Sequence, residues 1–162
     1  GLPDLEQHMP QWLESRDEPP LFINGVSGVG SPYWVPLLAS RFIGPGEPWL
    51  QAVAVLESIV FLLQANLEEF GQLSSPFESL RVSGGLTAYD GLCRRLADLS
   101  RLPVYRPQVV EATARGTAWL LAGNPADWPE PELGVWFKPT GNAALHARYL
   151  RWKQAMEQAV SR

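Results

Sequence analysis

Apolar residues in this chain switch between the two-residue spacing of a strand and the 3.6-residue spacing of a helix, and the switches delimit its elements. Leu80 and Val82 alternate with Arg81 and Ser83, which predicts a strand over 80–83. From Tyr89 the apolar positions fall at 89, 92, 93, 96 and 97, one face of a helix over 89–100. Gly84 and Gly85 stand at the joint. A second strand is predicted over 103–106 in "LPVYRP", then a small-residue helix over 112–122 in "EATARGTAWLLAG", open to close packing by another backbone.

Upstream, residues 4–15 predict a short helix, and Leu21–Ile23 a brief strand entering a loop with three glycines and two prolines. Phe42 and Ile43 precede the turn "GPGEP". The strongest helix spans 49–70, opened by Pro48 and closed by Gly71. Its centre is apolar enough to raise a membrane span, but Gln51, Glu57, Gln64 and Asn66 spoil one, since a carboxylate at the bilayer centre costs several kcal/mol. Glu57, Gln64 and Glu68 form a polar stripe, which reads as the wetter side of the helix. Residues 124–142 carry four prolines and connect, with a strand at Val135–Phe137. The last helix, 143–160, puts Leu145, Tyr149, Trp152 and Met156 on one face and Arg148, Arg151 and Lys153 on its polar side. Strands alternating with helices predict an α/β domain.

At 162 residues the chain fits one domain, 1–162, long enough to bury roughly 70% of its unfolded surface. A hydrophobic share of 46% with seven Trp excludes a disordered chain. The formal charge of −4 and the lack of a Lys/Arg cluster argue against nucleic acid or an anionic membrane as partner. One cysteine, Cys93, fits a reducing, cytoplasmic setting and lies on an apolar helix face, where an inert buried thiol is expected. His8 and His146 are remote from each other and read as surface residues; no metal-ligand cluster is expected. The first twenty residues read as neither a signal nor a transit peptide. No full phosphate-loop, dinucleotide or nucleophile-elbow motif occurs.

Two readings of Gly84-Gly85 stand side by side. A glycine pair at a strand-to-helix joint serves as a tight reversal using positive φ. It also lets a ligand approach bare backbone where helix-start amides favour an anion.

Several segments together resemble the FGGY carbohydrate kinases, the family of glycerol, xylulose and gluconate kinases. They are "GVSGVGSPYWVP…RFIG", "AVLESIVFLLQANLE", "LRVSGGLTAYDGLCRRLADLSRLPVYRPQVVEATARGTAWLLAG" and the closing "FKPTGNAALHARYLRWKQAMEQAV", in the family's order. The resemblance implies the RNase H-like, actin-like ATPase fold, in the C-terminal part of the second domain of a sugar kinase. It implies ATP with Mg²⁺ as cofactors, and γ-phosphate transfer to a sugar or polyol whose hydroxyl proton is taken by an Asp. The family's Gly-Gly-x turn lies against ribose and α-phosphate, which maps onto Gly84, Gly85 and Leu86; Tyr89 falls near the adenine position. Gly28, Val29, Gly30 and Ser31 match a loop that shapes the domain, and Glu57 matches an acidic position read as architectural. Glu111, Ala112, Thr113 and Gly116 match a helix start near the nucleotide side.

Four departures accompany the match. Leu86 stands for the family's Ala or Gly, Tyr89 for Asn or Ser and Arg94 for Gln, while Arg115 interrupts an apolar position. The family's catalytic Asp, sugar-binding domain and first phosphate turn all lie upstream of what matches Gly1. The expectation is a chain that starts midway through the second domain, contributes no catalytic residue, is inactive alone, and exposes a strand edge and an apolar face. ATP or ADP is the expected partner, the sugar or polyol being held mainly by the upstream domain, and a homo-oligomer stays open. The alternative function is a non-catalytic relative, a nucleotide-sensing or structural interaction domain.

Overall fold

The computed structural model describes residues 4–73, 76–109, 111–129 and 133–161. In chain order these form α1 (Leu5–Glu14), β1 (Leu21–Ile23), β2 (Arg41–Ile43), α2 (Pro48–Leu73), β3 (Leu80–Arg81), a 3₁₀ turn (Gly85–Ala88), α3 (Asp90–Ser100), β4 (Val104–Pro107), α4 (Ala112–Leu121), β5 (Gly134–Phe137) and α5 (Ala143–Val160). β1 and β2 form a small antiparallel sheet with Leu21 opposite Ile43. The other sheet has the order β3-β4-β5, β3 parallel and β5 antiparallel to β4.

The core lies where α2 meets α1, α3, α5 and β1. Leu145, Tyr149, Trp152 and Met156 recur at i, i+4, i+7 and i+11, and all four are buried. The Trp152 and Tyr149 rings lie 5.6 and 5.8 Å from that of Phe61 on α2, and Trp152 Nε1 donates to the Phe22 carbonyl oxygen at 2.9 Å. An indole buried with its N–H satisfied contributes its full apolar area without a desolvation penalty. Asn142 starts α5, its side chain accepting from the Leu145 amide at 3.0 Å.

The polar stripe of α2 is half-buried at Gln64 and Glu68, and at Glu57 it is not a wet face at all. Glu57 is 3% exposed, and the Arg148 guanidinium, itself 6% exposed, donates two hydrogen bonds to Glu57 Oε2, from Nε at 3.0 Å and from Nη2. Arg95 approaches from α3 at 3.8 Å, and Arg148 also reaches Glu18 at 3.0 Å. Arg148 therefore leaves the polar side predicted for it and ties α5 to α2 and to the segment before β1. A carboxylate can be buried here because two guanidiniums converge on it. By length and composition α2 could cross a membrane, yet in this fold one side of it packs on α1, α3, α5 and β1 and its central carboxylate is ion-paired.

Three expectations about the second sheet change. β3 stops at Arg81, although the Val82 amide still donates to the Tyr105 carbonyl oxygen at 2.9 Å, because Gly84 turns the chain away. The helix expected from Tyr89 is preceded by the 3₁₀ turn and begins at Asp90. α3 packs on β4 and β5, but α4 buries none of its residues, and a Cβ added to Gly116 would meet nothing within 4 Å. The close packing predicted for that small-residue helix is absent among the described residues.

Candidate functional site

The joint between β3 and α3 is built from its glycines outward. Gly84 has φ 99° and ψ 165°, a region that only glycine occupies without strain. Gly85 is different: its backbone lies outside the left-handed region, and an added Cβ would meet nothing within 4 Å. The fold itself therefore does not require glycine at 85. Thr87, which is buried, closes the turn by donating to the Gly84 carbonyl oxygen from its amide at 3.0 Å and from Oγ1 at 2.6 Å. The Tyr89 amide donates to the Leu86 carbonyl oxygen at 3.2 Å.

Behind the turn Arg106 on β4 donates from Nη1 to the Thr87 carbonyl oxygen at 2.6 Å and pairs with Asp90 Oδ1 at 2.9 Å. Its guanidinium carbon lies 5.2 Å from the centroid of the Phe137 ring. Cys93 Sγ faces the same Thr87 carbonyl at 3.5 Å. Burial pushes the Cys93 thiol up, which leaves it protonated and inert as its place on an apolar face predicts.

Two clefts flank the turn. The larger, of about 610 Å³, is lined by Ser83 at the end of the strand region, by Arg115 and Gly116 of α4, and by Trp119, Asn124 and Trp128. The smaller, of about 550 Å³, is lined by Ala88, Arg106, Gln108 and Val135 among others, and Pro107 borders both. Ser83 precedes the glycine pair and Ala88 follows it, so each cleft is bordered by one end of the turn. Gly84, Gly85, Leu86 and Tyr89 themselves line neither. Leu86 is 43% exposed, and Tyr89 is half-buried with its ring against the core.

Residue periodicity gave no hint of the two indoles in the larger cleft. Trp119 Nε1 donates to the Pro125 carbonyl oxygen at 3.1 Å, and Arg115 lies 5.8 Å from the Trp128 ring centroid while donating to the Pro129 carbonyl. Arg115, an interruption in the apolar pattern, was the one visible signal. The other expected positions sort cleanly. Gly28, at φ 83°, packs so closely that a Cβ would lie 2.6 Å from the Pro36 carbonyl oxygen, a shaping role. His8 stacks on Trp12 and His146 meets Tyr149 edge-on. Among the described residues no three His, Cys, Asp or Glu side chains converge to hold a metal ion.

A family model described as the C-terminal domain of the FGGY family of carbohydrate kinases matches residues 5–123. The chain belongs to that family. Glycerol kinase of Bradyrhizobium sp. (strain BTAi1) is 38% identical over 152 residues, covering 83% of this chain and 30% of that protein. Glycerol kinase of Rhodopseudomonas palustris (strain BisA53) is 37% identical over 147 residues, covering 80% and 29%. Among solved structures, Plasmodium falciparum glycerol kinase with ADP superposes with a TM-score of 0.75 at 17% identity, over 94% of this chain and 33% of its own. Xylulose kinase of Rhodospirillum rubrum gives 0.67 at 16% identity, over 94% and 32%. The architecture is that of the actin-like ATPase fold shared by these sugar kinases, and the chain spans about 30% of the length of the curated relatives it matches.

Proposed function

We propose that the chain forms the nucleotide side of an ATP-dependent sugar or polyol kinase, with glycerol the first acceptor to test. The observation that carries the proposal is Gly85. It sits in a stretch matched to the family, it lacks a side chain, and neither backbone angle nor packing demands that lack. Bare backbone with open space above it accommodates a ribose and phosphate closely, so the local structure fits a nucleotide.

When bound, ATP supplies the phosphoryl group. This chain's part is to hold the nucleotide: Gly84 sets the reversal, Gly85 and Leu86 present backbone, and Tyr89, its ring against the core, anchors the end of the turn rather than the base. Phosphoryl transfer depends mainly on positioning and on neutralising phosphate charge, which a rigid turn serves. No residue here is assigned as the base that takes the acceptor proton. The described residues offer no carboxylate cluster suited to Mg²⁺, so no step is assigned to the metal on this chain. The kinase reading also places the protein in the cytoplasm, in keeping with its single buried thiol.

The exposed Leu86 side chain favours one second reading, a non-catalytic relative, because its bulk crowds the space where the ribose would lie. A coupled assay of ADP release by the complete gene product, with glycerol, xylulose and gluconate as acceptors, separates the two. Acceptor-dependent release supports the kinase. ADP binding without release on any acceptor supports the non-catalytic relative.

A further inference from the structure

We infer that Arg106 is a positioning residue for the nucleotide turn, an inference that rests on the nucleotide reading of Gly84–Tyr89. One guanidinium holds both ends of the bend. It donates to the Thr87 carbonyl oxygen inside the 3₁₀ turn at 2.6 Å, and it pairs with Asp90, the first residue of α3, at 2.9 Å. Thr87 passes the constraint on, since its Oγ1 and amide both hold the Gly84 carbonyl oxygen. A continuous path of hydrogen bonds thus runs from β4 through Thr87 to the glycine whose conformation sets the reversal.

The position of Arg106 suits this task better than that of an ordinary surface ion pair. Its side chain is 17% exposed, and Phe137, which is buried, backs the guanidinium at 5.2 Å. β4 and β5, which anchor it, are joined along four paired positions, so the turn is referred to the sheet rather than to itself. Without that tether the four-residue turn would keep the short-range bonds from Thr87 and Tyr89 and the weak contact of Cys93 Sγ with the Thr87 carbonyl oxygen at 3.5 Å, and short 3₁₀ segments are weak by themselves. A charge-assisted bond to a carbonyl is among the stronger fixed contacts a side chain makes. Arg94 also reaches Asp90, but at 3.5 Å and from an exposed position, so it cannot replace Arg106.

Three measurements on the 162-residue chain and its Arg106→Met and Arg106→Lys variants test this: ADP titration, amide hydrogen exchange and thermal unfolding. In Arg106→Met the Thr87 and Tyr89 amides should exchange about tenfold faster, while those of Val60 and Trp152 stay within about twofold. ADP should bind about tenfold more weakly, the scale of losing one charge-assisted bond. Arg106→Lys, which keeps the pairing with Asp90, should recover part of both effects, and it carries the test if the Met variant fails to fold. A merely structural arginine would instead raise exchange everywhere in step with the fall in melting temperature, and that outcome would overturn the inference. So would unchanged Thr87 and Tyr89 exchange, or unchanged ADP affinity against a wild type that binds. A wild type that binds no ADP would sink the nucleotide reading itself, whatever the variants do.

Discussion

α5 and α4 are both helices with apolar residues, yet one buries a full stripe of large side chains and the other buries nothing. Along α5 the large side chains recur at i, i+4, i+7 and i+11, so they share one wall and meet α2, α3 and β1. Along α4 the large residues Trp119, Leu120 and Leu121 are consecutive, spread around the helix by about 100° per residue. Leu120 is 62% and Leu121 85% exposed, and apart from Arg115 the rest of the helix is small residues that bring little area. Apolar content does not bury a helix; aligned apolar content facing a partner does.

This contrast sets the expected size of substitution effects. Trp152→Ala should cost about 3–5 kcal/mol, from lost volume and from an orphaned Phe22 carbonyl, read as a lower denaturant midpoint. Glu57→Gln should come next, at about 3 kcal/mol, because two guanidiniums converge on that carboxylate and lose their counter-charge. Replacing Glu57 and Arg148 together by Leu and Met should recover much of that loss. If the double variant proves as unstable as the single one, the ion network matters for more than its charge balance.

The packed side also carries the chain's pH response. Burial pushes the Tyr33 hydroxyl up to about 12 and raises that of Tyr149, burial raises the Cys93 thiol, and a hydrogen bond to Glu68 raises Lys153. Each group has a folded pKa above its unfolded value. Its contribution is therefore complete below the unfolded value and is lost as pH rises through the folded one. For Tyr33 the window runs from 10.0 to about 12. The melting temperature should fall across it, and Tyr33→Phe should flatten part of the fall. For Glu68 burial acts upward, but the hydrogen bonds it accepts, led by that from Lys153 at 2.7 Å, outweigh it together with the Lys153 charge, and its pKa is lowered; that contribution is lost at acid pH instead.

The smallest effect belongs to the other side. Leu121→Gln should change stability by less than about 0.5 kcal/mol, as an exposed position with no partner to lose. A drop of several kcal/mol would show that α4 is covered in solution.

How much of this was legible in the sequence follows the same division. β1 and α5 stand at their predicted boundaries, α5 because a full stripe follows the Asn142 cap, and β5 begins one residue before the predicted Val135. The two strands predicted over 80–83 and 103–106 are both present, and Leu80 and Arg81 pair in parallel with Val104 and Tyr105. The ion network was not legible, because Arg148 and Glu57 lie 91 residues apart and each reads alone as a solvated charge. The burial of Arg148 is a long-range fact that no local window contains. The glycine turn was legible as a joint, but not the 3₁₀ turn within it or the arginine behind it, since both depend on which carbonyls β4 happens to face. Among the expected site residues, the contrast between Gly84 and Gly85 needed backbone angles to appear.

That contrast gives the most direct measurement: ADP titration of wild type and Gly85→Val, with thermal unfolding alongside. The Cβ of a Val at 85 meets nothing within 4 Å in the folded chain, so the melting temperature should shift by no more than about 4 °C, the size of a sub-kcal/mol change. Its side chain would occupy the space assigned to the nucleotide, so ADP affinity should fall by more than about tenfold. ADP bound equally well by a Gly85→Val chain of wild-type stability would contradict the assignment of this turn to the nucleotide.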